Sequence, residues 1–411
     1  MTRPFVHCCA FVLVLCLPML QRLTGGLPSW PLGGVERPEP PTPVPGWQSW
    51  HDGTLQEHWR RLFTQQLGLR DWLVRADNQI RMWLLGECKG DVTSGRDGWL
   101  YATEYLPGAD LATDGEQRRL LLALGNLRRV QTLLEERGVT LLLLVSPNKC
   151  RLVPEHLPER ARQVVADGAP TLYEFARDWL DAHGARWFDA HRRFADWQRD
   201  GVDFPLFTRG GAHWSAFAAA TIAAELVETL RTAGVAIRAL DVQRGELRVR
   251  AGADELDLVG MANLLDERPW HQPTPVPIVR PRAGDTTPPI RLLVEGTSFC
   301  WAVLPHLAET AAASPLTFQY YLKRRHEWLD GRAQPSVPTS WSPDNLPALL
   351  AELLSYRVIV IEINELRLPG MGHGMLEGLL MLCGEQPPAE PTPAMAAWQR
   401  DWQQARASRR R

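Results

Sequence analysis

The stretch Arg291-Leu292-Leu293-Val294-Glu295-Gly296-Thr297-Ser298-Phe299-Cys300-Trp301 decides how this chain is read. Its first half is an apolar run of strand length. Glu295-Gly296 ends the run, and Thr297-Ser298 follows at once. Residues 301–310 carry an amphipathic helical pattern, into which Pro305 fits only within the first turn. A strand, a tight turn and a helix start place the Ser298 hydroxyl at the carboxyl end of a sheet, where open α/β folds bind their ligands. The helix start also offers N–H groups and a partial positive charge that suit an oxyanion. The competing reading makes Ser298 an ordinary helix N-cap.

Outward from that stretch, helix and strand patterns alternate. Residues 115–136 read as a helix, and residues 139–145 as a buried parallel strand ending in Ser146-Pro147-Asn148-Lys149. A helical pattern at 170–183 precedes a short strand, Trp187-Phe188-Asp189. Thr208-Arg209-Gly210-Gly211-Ala212-His213-Trp214-Ser215 then forms a glycine loop before an alanine-rich helix at 216–233, so His213 has the same setting as Ser298. The rhythm breaks over 235–289. There Glu246-Leu247-Arg248-Val249-Arg250 alternates like an exposed strand, and the proline-rich 269–289 reads as a loop. Residues 316–321 and 358–363 are further strands, the second tipped by Asn364-Glu365. The alternation predicts an α/β fold with a mostly parallel sheet flanked by helices.

In front of this body, residues 5–20 are apolar, follow Arg3 and are shorter than the ~20 residues of a typical membrane helix. They suit a signal-peptide core or a membrane anchor, and the missing cleavage site favours an anchor. The chain therefore divides into a signal or anchor at 1–24, a Pro/Gly-rich linker at 25–53 that reads as a stiff spacer, a folded body at 54–385 beginning with a helical stretch at 54–85, and a tail at 386–411.

The 411 residues carry a formal charge of -2, which excludes the basic footprint of a nucleic-acid binder. No P-loop, dinucleotide glycine fingerprint or HExxH stretch is present, and the four cysteines of the body lack metal-ligand spacing. No cofactor is expected. Cys300, two residues after Ser298, reads as a packing residue. Seventeen tryptophans, among them Trp47, Trp50, Trp59, Trp328, Trp341, Trp398 and Trp402, are either helix-packing groups or exposed platforms for sugar rings.

A serine hydroxyl becomes a nucleophile when a base takes its proton, and a histidine held by a carboxylate serves near neutral pH. Ser298 and His213 are the candidate pair, with Gly296, Asn148, Asn364 and Glu365 as supporting or oxyanion groups at neighbouring strand tips. In this setting the chain resembles the periplasmic polysaccharide O-acetyltransferases of alginate acetylation, with their SGNH-hydrolase-like domain. The matching residues run in order: Gly95-Arg96-Asp97-Gly98-Trp99-Leu100, Val145-Ser146-Pro147-Asn148-Lys149 with Pro154-Glu155-His156-Leu157-Pro158, Gly211-Ala212-His213-Trp214, Asp257-Leu258, Gly296-Thr297-Ser298-Phe299, and the 358–365 strand. The resemblance covers roughly 55–385. It implies a nucleophilic Ser298, His213 as base, an exopolysaccharide substrate, acetyl delivered by a membrane-bound acyltransferase partner, and a periplasmic place at the inner membrane. It also implies an aspartate two residues before the histidine, where this chain has Gly211. On that pattern Asp189 or Glu365 substitutes in space, the site is a serine–histidine dyad, or it is a degenerate pseudoenzyme; a gain of activity on Gly211→Asp would mark a weakened version of the family triad. An esterase acting on the same residues with water, and a non-catalytic subunit of a secretion complex, are the alternatives.

Overall fold

The computed structural model describes residues 3–34, 44–252, 255–339, 341 and 345–409. Its centre is an eight-stranded sheet. A two-stranded hairpin, β1 (Val92–Ser94) and β2 (Leu100–Ala102), precedes it. The sheet begins with β3 (Thr140–Ser146) and β4 (Trp187–Asp189). An antiparallel ribbon of β5 (Leu240–Arg248) and β6 (Thr274–Pro281) stands apart. The sheet resumes with β7 (Ile290–Gly296), β8 (Ala313–Tyr320), the edge strands β9 (Arg324–Leu329), β10 (Arg332–Ala333) and β11 (Val337–Pro338), and finally β12 (Val358–Asn364).

The order β8-β7-β12-β3-β4 is parallel throughout, and β9 adds to β8 antiparallel. From β3 the chain steps outward to β4, and from β7 outward to β8. The last strand, β12, fills the gap between β3 and β7. Strand progression reverses there, and the carboxyl ends at that reversal form the crevice of such sheets. The expected α/β fold is met, and β3, β4, β7 and β12 lie where the patterns place them.

Side-chain alternation sorts the strands into two layers. Leu142, Leu144, Leu292, Val294, Val358 and Val360 pack on one face with the helices at Ala190–Asp200, Ala216–Thr232 and Leu304–Glu309. Leu141, Leu143, Val145, Leu293, Ile359 and Ile361 pack on the other, under the helices at Asp114–Glu135, Leu172–Ala182 and Met375–Leu382. Burial on both faces explains why these strands read as continuous apolar runs.

Several boundaries differ from the sequence reading. Residues 54–85 form two helices, Thr54–Gln66 and Arg70–Leu85, broken by Leu69 with φ at 65°. The proline-rich 269–289 is not all loop, because 274–281 pairs with β5. Prolines are tolerated there because this ribbon has free edges. In the linker, residues 47–51 are helical, Leu32 is buried, and the Gly33 N–H donates to Asn263 Oδ1 at 2.8 Å, so that part lies against the body. The proline run at 38–43 is outside the described residues. The tail helix Pro393–Arg409 docks on Leu172–Ala182: the Trp398 and Trp402 rings meet Phe175 edge-on, and Trp402 Nε1 donates to Asp178 at 2.9 Å. The tryptophans therefore split. Trp328 and Trp402 are buried, whereas Trp47, Trp50 and Trp59 are exposed.

Candidate active site

β7 ends at Gly296, and a 3-10 turn begins at Ser298. The residue that caps this turn is Thr297. Its hydroxyl accepts from the Phe299 N–H at 3.4 Å and donates to Glu362 Oε2 at 2.7 Å, which also accepts from the Thr297 N–H at 2.7 Å. Glu362, wholly buried on β12, further accepts from Ser146 Oγ on β3 at 2.6 Å. One carboxylate thus ties the ends of three adjacent strands together. Because the neighbour carries the cap, the Ser298 hydroxyl is free for another partner. That partner is His213, whose Nε2 lies 2.8 Å from Ser298 Oγ.

His213 Nδ1 lies 2.8 Å from Asp257 Oδ2. The carboxylate therefore holds the proton on Nδ1 and leaves Nε2 to accept from the serine. The other oxygen, Oδ1, accepts from the Ala212 N–H at 2.9 Å, so Asp257 orients both the ring and the backbone that carries it. Phe299 meets the imidazole edge-on at 4.6 Å.

Asp257 opens the short helix Asp257–Ala262 at the tip of the β5–β6 ribbon. The Gly210 carbonyl accepts from the Leu258 and Val259 N–H groups at 3.1 and 3.3 Å, locking ribbon tip to histidine loop. This approach leaves no room for side chains at either glycine. A Cβ on Gly210 would lie 2.8 Å from Val259 Cγ2, and one on Gly211 2.8 Å from the Glu255 carbonyl oxygen and 2.9 Å from Thr208 Oγ1.

Behind the loop, the buried Lys149 donates to the carbonyls of Leu100 and Thr208 at 2.8 Å, of Gly211 at 2.7 Å and of Arg209 at 3.2 Å. The Trp99 and Tyr101 rings flank the ammonium. Burial pulls its pKa down to about 7, and the carbonyl cage and the rings favour the charged form against that pull. Lys149→Met removes the donor these carbonyls share, although the Arg209 carbonyl keeps the Leu100 N–H at 2.9 Å. It is expected to lower stability by about 3 kcal/mol in denaturant titration and to reduce turnover through a loosened His213 loop. Full stability in the variant would remove Lys149 as the support of that loop.

The other sequence candidates have different partners. Asn148 accepts from the Cys150 N–H at 2.9 Å and donates to the Tyr105 carbonyl at 2.9 Å. Asn364 accepts from the Leu366 N–H and donates to the Pro147 carbonyl. Both amides are engaged in capping and loop bonds, and each has a second N–H beyond these. Glu365 sits 2.5 Å from His191, and Asp189 accepts from Tyr173 and the Arg192 N–H, so neither is the carboxylate that meets His213. Gly296 is required by packing, since a Cβ there would lie 2.8 Å from Cys300 Sγ and 2.9 Å from Glu362. Cys300 is a buried packing residue whose thiol is pushed well up by burial.

Two groups escaped the sequence reading. The Asp257-Leu258 motif stood among the matching residues without a role. Tyr321 follows β8 with φ at 49°, and its N–H donates to the Gly296 carbonyl at 2.9 Å. Burial raises the phenol pKa, so it is a proton donor at neutral pH. No local pattern flags a tyrosine placed by a strand end. A cleft of about 500 Å³ opens beside Thr297 and Tyr321 and runs past Tyr105, Asn364, Arg367 and His373.

A serine, histidine and aspartate in hydrogen-bonded relay at the carboxyl edge of a parallel sheet form the constellation of serine acyl-transfer chemistry. The family model of the SGNH hydrolase-like domain of the acetyltransferase AlgX matches residues 92–325, more than half of the chain, and the chain belongs to that family. A probable alginate O-acetylase, AlgJ of Pseudomonas aeruginosa, is 30% identical over 187 residues, which are 45% of this chain and 45% of that protein. The chain thus spans a little under half the length of that relative. Among solved structures, the O-acetyltransferase domain of Pseudomonas putida AlgJ has a TM-score of 0.44 at 20% identity, covering 68% of this chain and 93% of that one. AlgX of Pseudomonas aeruginosa has a TM-score of 0.41 at 14% identity, covering 71% and 66%.

Proposed function

We propose that the protein is an O-acetyltransferase that carries acetyl on Ser298 and delivers it to hydroxyl groups of an exported polysaccharide. The observation that carries this reading is the relay Ser298–His213–Asp257, with both links at 2.8 Å. Family membership supplies the acetyl group and the polysaccharide. The non-catalytic alternative rested on a missing carboxylate, and Asp257 occupies that place.

In the first half-reaction, His213 Nε2 takes the Ser298 proton as Oγ attacks the acetyl carbonyl of the donor. The tetrahedral oxyanion meets the Ser298 N–H, which at the first position of its turn has no intrahelical acceptor. The imidazolium, held by Asp257, then gives its proton to the leaving group, and acetyl-Ser298 remains. In the second half, His213 takes the proton of a sugar hydroxyl, that oxygen attacks the acetyl carbonyl, and the proton returns to Ser298 Oγ. The protein releases the acetylated sugar.

The setting is part of the proposal. The helix Arg3–Thr24 contains a 20-residue stretch, residues 5–24, of mean hydropathy 1.8, and it anchors the body at the periplasmic face of the inner membrane. A membrane-bound acyltransferase is the source of acetyl.

The test is to trap the intermediate. With 4-nitrophenyl acetate as donor, intact-mass and peptide mapping are expected to place one acetyl group on Ser298, absent from Ser298→Ala. Adding a polysaccharide with free hydroxyls should discharge it faster than water does. Discharge by water alone would favour the esterase, and no acetylation of Ser298 would remove the enzyme reading.

A further inference from the structure

The helices at Thr54–Gln66 and Arg70–Leu85 carry a surface that the acetyl-transfer site does not use. Trp59 is 62% exposed and Phe63 71%, and at the far end of the second helix Trp83, Leu84 and Leu85 are 69%, 77% and 61% exposed. A soluble surface seldom gathers so many large apolar groups.

The position of this surface relative to the anchor helix identifies what covers it. Gly68, in the turn between the two helices, is so close to the anchor that a Cβ would lie 1.9 Å from the Pro18 carbonyl oxygen. Leu15, Met19 and Leu23 of the anchor and Trp59, Leu62 and Phe63 enclose an apolar cleft of about 650 Å³. The apolar stretch at 5–24 rises ~30 Å at 1.5 Å per residue, the thickness of a bilayer core. Pro18, which meets Gly68, lies six residues or ~9 Å before the end of that stretch, within the ~5–10 Å to which an interfacial helix sinks its apolar face.

Its composition suits that depth. Trp59 and Phe63 share the helix with Arg60 and Arg61, which ion-pair with Glu57. Tryptophan beside arginine on an amphipathic helix is the pattern of an interfacial segment. Along the second helix the exposed Leu73, Ile80 and Leu84 line one face, and the opposite face holds the body. Asn78 donates to the Ala262 carbonyl at 2.9 Å, Arg75 to the Leu264 carbonyl at 3.1 Å, and Gln79 accepts from the Leu265 and Asp266 N–H groups at 3.1 and 3.0 Å. Residues 262–266 are the last residue of the helix that begins at Asp257 and the four that follow it.

We propose that the helices at Thr54–Gln66 and Arg70–Leu85 lie in the phospholipid headgroup interface and dock the catalytic body on the membrane in a fixed orientation. This rests on the anchor reading of residues 3–24 and adds a second membrane contact to it. The body is not swung on a free tether; its ribbon tip is joined to the membrane through one rigid helix.

The test uses the full chain in membrane vesicles from expressing cells. The photoreactive residue p-benzoylphenylalanine replaces Phe11 in the anchor, Phe63, Trp83 or, as a control, the exposed Leu329 on β9. All four positions are exposed, so the substitutions leave the core intact. Irradiation is expected to give phospholipid adducts at Phe11, Phe63 and Trp83, with yields at the last two near that of Phe11 and well above Leu329. Lipid adducts at Phe11 alone, or protein adducts at Phe63 and Trp83 from a partner or a second copy, would overturn the docking surface and leave the anchor standing. No lipid adduct at Phe11 would overturn both.

Discussion

Asp257→Asn is expected to lower acetyl-transfer turnover by about 10⁴-fold while the protein stays folded. The carboxylate accepts the Nδ1 proton of His213 and stabilises the imidazolium that forms when Ser298 attacks. An asparagine can turn its NH₂ toward Nδ1 and move the ring proton to Nε2, where it blocks proton removal from Ser298. The measurement is the rate of acetyl release from 4-nitrophenyl acetate and of transfer to polysaccharide, with circular dichroism as the check on folding. Asp189→Asn and Glu365→Gln alter carboxylates bonded to Tyr173 and His191 and should leave the relay intact. If Asp257→Asn turns over like the parent while either of those two fails, the acid has been assigned to the wrong residue.

Gly211→Asp is expected to damage the enzyme, not to repair it. From the sequence alone an aspartate at this position reads as the missing acid of the triad. The structure leaves no space for it. The first carbon of any side chain meets the Glu255 carbonyl and Thr208 Oγ1 inside 3 Å, and both belong to the packed junction of ribbon tip and histidine loop. Overpacking of this kind costs about 1–3 kcal/mol. A carboxylate forced in here also lies beside the Glu255 carbonyl oxygen, adding an unpaired buried charge. The junction has to open, and a displacement of about 1 Å at His213 lowers turnover by about 10²-fold. Thermal unfolding and acetyl-transfer rates of Gly211→Asp and Gly211→Ala measure the two effects. A stable Gly211→Asp with higher activity would show that the loop has a second arrangement in which residue 211 faces the imidazole.

These results bear on how the site is built. In the family pattern that the chain resembles, the acid and base share one short motif. Here the histidine and the carboxylate bonded to it come from two elements separated by 44 residues and joined through the Gly210 carbonyl, the Ala212 N–H and the packing of Leu256, Leu258 and Val259. Gly211 is then a packing requirement of the rebuilt junction.

Much was legible from local pattern. The apolar runs at 141–145, 292–294 and 358–361 are strands because burial on both faces leaves no room for polar alternation. The helix after Ser298 tolerates Pro305 because the proline falls in its first turn. Ser298 and His213 stood out because each lies between glycine and a helix start. The cap on the serine turn was less legible: Thr297 and Ser298 are both good caps, and Glu362, 65 residues away, decides between them by accepting from Thr297. The ribbon at 240–281 was read only in half, since its second strand carries Pro275, Pro277 and Pro281.

By itself the sequence determined the layered parallel sheet, the serine at the end of its central region and the histidine in a loop before a helix. These depend on periodicity, turn chemistry and helix starts within a dozen residues. Only the tertiary structure decided which carboxylate completes the relay, because that depends on where an antiparallel ribbon delivers its tip. Residues 211, 213 and 257 become neighbours through hydrogen bonds and close packing between distant segments, and no local pattern carries that register.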